Sequence, residues 1–252
     1  LLQLIPADSA LVLGVPAGNP GLRLVAPGLF ESELAPVLAR SRYIILAERQ
    51  TAQSYEQHIV LEGDFSPIVL SFALPQKDGW QQTAMGESRV YYRPGIALML
   101  AAPGTVYGIV SSDAPGALAR SVASIQSGSP LPVPADAILA GDGFLHLSRL
   151  EQLFSHGFEV PRQLEAFRDV QLQFRYSVSD DGRLTSSGSM QAAGESAARA
   201  LNASLRLLAP AIAENDGLPD IQRSGKEVRM NNFTLRPSVV EEWLNSLLED
   251  FR

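Results

Sequence analysis

Cysteine is missing from this 252-residue chain. That excludes disulfides, thiolate metal sites and a cysteine nucleophile. Positive charge is in short supply: 20 Lys and Arg face 27 Asp and Glu, for a net charge of −7 and a pI near 5.0. A general nucleic-acid binder needs a basic stripe to pair with phosphates, so that class is excluded, and basic clusters for anionic lipid are equally absent. Long apolar runs are lacking too. The longest candidate, Ile96 to Gly108, is broken by Pro103 and Gly104, whereas a single spanning helix needs about 18 or more. The chain opens at Leu1 with no initiator Met, and we expect a signal or lipoprotein leader to have preceded it.

Catalytic signatures are scarce as well. Only three histidines occur, His58, His146 and His156, with no acidic or histidine partner at a zinc-type spacing. They read as core or surface histidines. There is no Gly-x-Ser-x-Gly elbow and no phosphate-binding Gly-Lys-Ser/Thr loop, and Gly141-Asp142-Gly143 lacks the third glycine of a dinucleotide fingerprint. Asp180-Asp181-Gly182 is a turn, and Glu241-Glu242 is a solvated helix face. The expectation is a protein that is not an enzyme, with no metal and no cofactor.

What the chain has is apolar content, 46% of its residues, enough for a sizeable core. It also has an internal echo. Pro6-Ala7-Asp8-Ser9-Ala10-Leu11-Val12-Leu13-Gly14 returns as Pro134-Ala135-Asp136-Ala137-Ile138-Leu139-Ala140-Gly141, one residue shorter. Each copy reads as a proline-initiated strand. Helices are expected next, at about 28–39 and 147–155. A hairpin follows in each half, Arg42 to Glu48 with Glu56 to Gly63, and Asp169 to Ser179 with Arg183 to Gln191. The second carries an Asp-Gly turn signal.

Helices then come at Ser66 to Pro75, where Ser-Pro starts and proline stops, and at Glu195 to Ala213. In the latter Leu201, Leu205, Leu208 and Ile212 recur at helical spacing. Further strands are expected at Arg89–Tyr92, Gly95–Ala101, Thr105–Val110 and Val228–Leu235. Closing helices are expected at Ala114–Ile125 and Pro237–Phe251. Gln126 to Pro134 is turn-rich, and Glu214 to Gly225 reads as a mobile loop. The predicted fold class is therefore α+β: a twisted, mainly antiparallel sheet covered by amphipathic helices, in two βαββα-like pseudo-repeats over residues 1–128 and 129–252.

The last helix has the sharpest pattern. Val239, Val240, Trp243, Leu244, Leu247, Leu248 and Phe251 fill one broad stripe, with Glu241, Glu242, Asn245, Ser246, Glu249 and Asp250 opposite. Such a stripe packs on the sheet, or it also faces lipid or a partner. Trp243 suits a headgroup boundary. Ile68, Val69, Leu70 and Phe72 form a shorter apolar segment, readable as core, as a cavity wall or as an anchor. Leu29, Phe30, Leu34, Val37 and Leu38 make a further stripe. The candidate lipid-contacting residues are Leu29, Phe30, Ile68, Val69, Phe72, Val240, Trp243, Leu244, Leu247, Leu248 and Phe251.

Tandem β-rich halves, the Pro6-Ala7-Asp8 opening, no cysteine after the start and several amphipathic helices together resemble the spirochaetal (treponemal) outer-membrane-associated lipoproteins with membrane-inserting amphipathic helices. The resemblance implies a periplasm-facing lipoprotein at the inner face of the outer membrane. Its lipidated cysteine would lie upstream of Leu1, and its partners would be the bilayer or a bound lipid or glycolipid. The acidic polar faces depart from the usual basic membrane helix. Two other classes stay open: a carrier holding lipid in an internal cavity, and a periplasmic scaffold or adaptor that binds an envelope protein by sheet edge or helix groove.

Overall fold

The computed structural model describes residues 2–19, 35–50, 55–74, 79–86, 88–125, 135–149, 167–179, 183–212 and 220–235. They fall into two compact units, the first within Leu1–Gly18 and Glu33–Ala135, the second within Asn19–Ser32 and Asp136–Arg252.

Among the described residues the first unit holds seven strands: β1 (Leu11–Val15), β2 (Ser41–Gln50), β3 (Tyr55–Gly63), β4 (Gln81–Met85), β5 (Ser88–Arg93), β6 (Ile96–Ala102) and β7 (Thr105–Val110). They lie in the order β1-β2-β3-β7-β6-β5-β4, each antiparallel to its neighbour. The middle of this sheet is apolar without alternation. Ile44, Ile45, Ile59 and Val60 are all buried, as expected of strands covered on both faces. Its helices are α1 (Ala35–Leu38), α2 (Pro67–Ala73) and α3 (Ala114–Ile125). Buried Leu118 and Ala117 seat α3, which packs on β5, β6 and β7.

Among the described residues the second unit holds α4 (Ala135–Ala140), α5 (Glu195–Ile212) and five strands: β8 (Gly143–Leu147), β9 (Gln171–Val178), β10 (Leu184–Gln191), β11 (Asp220–Ser224) and β12 (Glu227–Leu235). Their order is β8-β9-β10-β12-β11, again antiparallel throughout. Gly143 is required where it stands, because the Tyr176 ring lies over it and a Cβ would collide with that ring. In β12, Asn231 and Asn232 oppose the single Ser187. Asn232 takes the left-handed conformation (φ 51°) and its N–H donates to Ser187 Oγ at 3.0 Å. That is a bulge, with asparagine supplying the turn. Buried Leu201 and Leu205 hold α5 to β11 and β12, and Arg206 Nη2 donates to the Ile221 carbonyl at 2.7 Å.

This corrects the expected fold class. The described residues are predominantly antiparallel strand with few, mostly short helices, and are not a sheet covered by amphipathic helices in βαββα repeats. Among the described residues each unit has an initial strand, a hairpin, and a last strand in chain order that pairs with the second strand of that hairpin, but the first unit has four strands, β4–β7, where the second has two, β11 and β12.

The echoed phrase itself adopts two structures. In the first copy a turn precedes strand β1. In the second, Ala135–Ala140 is helix α4, because Asp136 sits in its first turn and good helix formers follow. Gly141, at φ 76°, ends it. Leu147, expected to begin a helix, ends strand β8. Asp220–Ser224, expected in a mobile loop, is strand β11, turned into β12 at Gly225 (φ 58°). Of the helix expected at 28–39, residues 35–39 are described, and of these Ala35–Leu38 is helix and Ala39 a turn. The final helix, Pro237–Phe251, lies outside the described residues.

Candidate apolar contact surface

Helix α2 is the described element that carries candidate contact residues. Ser66 starts it: its Oγ accepts from the Val69 N–H at 3.2 Å, and Pro67 follows at the first helical position. Leu70, fully buried, and Leu74 turn inward. The Tyr91 hydroxyl on β5 donates to the Pro67 carbonyl at 3.3 Å. With the inner side fixed, the outer side is settled by spacing. Ile68 and Phe72, one turn apart, are 67% and 81% exposed. Val69 is half-buried. No charged residue occurs in Pro67–Ala73. An uncharged helix thus holds two large apolar side chains in water, each worth about 1.5–3 kcal/mol if fully covered.

Of the other candidates, Leu29, Phe30, Val240, Trp243, Leu244, Leu247, Leu248 and Phe251 lie outside the described residues. Sequence reasoning missed two further exposed apolar residues, Leu139 on α4 and Leu207 on α5, at 89% and 80% exposure. Leu207 was findable: it falls off the stripe of Leu201, Leu205 and Leu208. Among the described residues no helix is long and apolar enough to cross a membrane. No group of three or more His, Asp or Glu among them could hold a metal.

The first unit also buries a polar cluster. His58 on β3 and Tyr107 on β7 are both fully buried. His58 Nδ1 lies 2.8 Å from the Tyr107 hydroxyl, with the rings stacked at 6.1 Å. A neutral ring whose Nδ1 accepts the tyrosine proton carries its own on Nε2, which faces Glu56 Oε2 at 3.7 Å. Arg49 and Arg120 approach Glu56 from the solvent side at 4.0 and 3.9 Å, and Asp8 holds Arg49 at 2.9 Å.

Burial, and then the Arg49 charge, lower the His58 pKa to about 4, against an opposing pull from Asp8. Burial raises that of Tyr107 to about 12, against a hydrogen bond from Ser121. His146, on β8, is likewise lowered by burial. The cluster is enclosed in the core, with His58 Nδ1 paired to the Tyr107 hydroxyl and His58 Nε2 left without a hydrogen-bond partner.

The architecture just described defines a class by fold alone, two units of antiparallel sheet. No protein-family model matches the sequence, and no curated protein matches it. Solved structures do share the fold. Crystal form I of TP0453, a Treponema pallidum protein, superposes with a TM-score of 0.72 over 98% of this chain and 96% of that one, at 11% identity. Crystal form III gives 0.71 over 97% of each chain, and form IV 0.69 over 96% and 94%, both at 11% identity. Identity that low makes this a likeness of fold.

Proposed function

We infer that this chain is a non-catalytic lipoprotein domain of the bacterial envelope. In this reading it faces the periplasm at the inner side of the outer membrane and adsorbs to lipid through exposed apolar helix residues. The observation that carries the reading is the Ile68–Phe72 pair, held outward on a capped, uncharged helix whose inner face is locked. The shared fold of TP0453, a Treponema pallidum protein, supports a spirochaetal setting. Apolar burial of two side chains supplies a few kcal/mol, which gives reversible adsorption and not insertion of a spanning element.

The test is flotation with phosphatidylcholine vesicles. The double variant Ile68→Asp, Phe72→Asp changes exposed positions only, so its circular dichroism and melting temperature should match the parent. The parent is expected to float and the variant to stay in the dense fraction. A folded variant that floats as well as the parent would remove α2 as the contact, and a parent that does not float would sink the reading.

A further inference from the structure

We propose that strand β4 is a self-association edge, pairing antiparallel with β4 of a second copy of this chain. β4 ends the strand order of the first unit, and among the described residues it has β5 on one side and no strand on the other. Alternate backbone N–H and C=O groups of such a strand point away from its one neighbour and form a template for another strand. Proteins normally blunt these edges with lysine, proline, a bulge or a cover. β4 carries none of them: Gln81, Gln82, Thr83, Ala84 and Met85 have no charge and no proline, register against β5 without a break, and are exposed except for half-buried Met85. Its start is pinned by buried Trp80, whose ring the Arg93 guanidinium covers at 5.2 Å. The strand is therefore held in an extended shape.

The terminal strand of the second unit makes the contrast. β11 carries Asp220 and Arg223, whose charged groups are drawn onto neighbouring chain atoms. Asp220 Oδ2 accepts from the amides of Gln222 at 2.9 Å and Asn231 at 3.4 Å, and Arg223 Nη1 donates to the Gly225 carbonyl at 3.0 Å. One edge is guarded and the other is open.

The occupant follows from self-complementarity. A two-fold pairing centred on Thr83 sets Thr83 against Thr83, Gln82 against Ala84 and Gln81 against Met85. Threonine opposite threonine is a favourable cross-strand pair, and no like charges meet within the strand. A two-fold pairing of β4 with itself consumes both open edges and closes at a dimer. A five-residue pair covers less than the ~1,200 Å² at which standard interfaces begin, so the dimer is weak.

Sedimentation velocity without lipid tests this between about 10 μM and about 1 mM, the range of weak association. The parent should shift from monomer toward dimer across the series. Thr83→Lys and Thr83→Glu place like charges against each other at the two-fold, and each alone should stay monomeric throughout. An equimolar mixture of the two should regain the dimer, an outcome that damage to the fold cannot produce. A parent that stays monomeric at the highest concentration, or a lysine variant that dimerises like the parent, would overturn the proposal. So would a mixture that stays monomeric.

Discussion

At the residue scale, the most consequential side chain is a histidine buried in the first unit. His58 is enclosed as a neutral ring with its pKa lowered to about 4, while in an unfolded chain it titrates near 6.5. Between these values the unfolded chain binds the extra proton and the folded chain does not. The stability that comes from keeping His58 neutral is therefore complete above pH 6.5 and is lost as pH falls from 6.5 towards 4. The ceiling is roughly 3 kcal/mol, at about 1.4 kcal/mol for each unit. His146, lowered by burial, adds in the same direction. Urea titrations at pH 7.5, 6, 5 and 4 should show the midpoint falling steadily. His58→Gln can still accept the Tyr107 proton without titrating, and should flatten that fall while lowering the midpoint at pH 7.5. Parallel profiles for parent and variant would show that His58 does not control the acid response.

At the scale of elements, α2 depends on its first residue more than a longer helix would. Seven residues do not sustain a helix on propensity, since nucleation is costly and few hydrogen bonds follow. The Ser66 cap, the proline after it and the buried Leu70 make up the difference. Ser66→Ala removes the acceptor for the Val69 N–H and should cost about 1 kcal/mol. Faster amide exchange at Val69 and Leu70, with unchanged exchange in β3, would locate that loss in α2, and unchanged exchange throughout would show that the cap is dispensable.

The start of α2 was legible because Ser-Pro acts locally, and so were the β2–β3 and β9–β10 hairpins, whose apolar runs and turn residues are local too. What escaped was set by tertiary context. β4 is a polar edge strand with no fully buried residue and β11 buries only Ile221, too little to impose a period, so nothing in Gln81–Met85 or Asp220–Ser224 announces a strand. The echoed Pro-Ala-Asp phrase misled because a dropped residue and a run of helix formers sent the second copy into α4. The His58–Tyr107 pair joins residues 49 apart in sequence, a distance over which no spacing rule speaks. At the candidate surface, Ile68 and Phe72 were legible as apolar but not as exposed, because exposure depends on which side Leu70 and Leu74 anchor.

At the scale of the whole molecule, charge decides how an apolar contact behaves. The chain carries −7, and α2 offers no cation of its own, so a vesicle with an anionic surface repels the protein before any side chain reaches the acyl boundary. Adsorption driven by Ile68 and Phe72 should therefore be stronger on pure phosphatidylcholine than on vesicles containing phosphatidylglycerol. Salt sharpens the distinction. Raising ionic strength from about 0.01 M to about 1 M shortens the screening length from roughly 30 Å to roughly 3 Å, which weakens the repulsion and leaves apolar burial intact. Flotation with anionic vesicles should rise with salt, and flotation with neutral vesicles should barely change. A protein held by cationic residues would do the reverse, floating best with anionic vesicles at low salt and dissociating as salt is added. That reversed order would place the contact on a basic patch and take it away from α2.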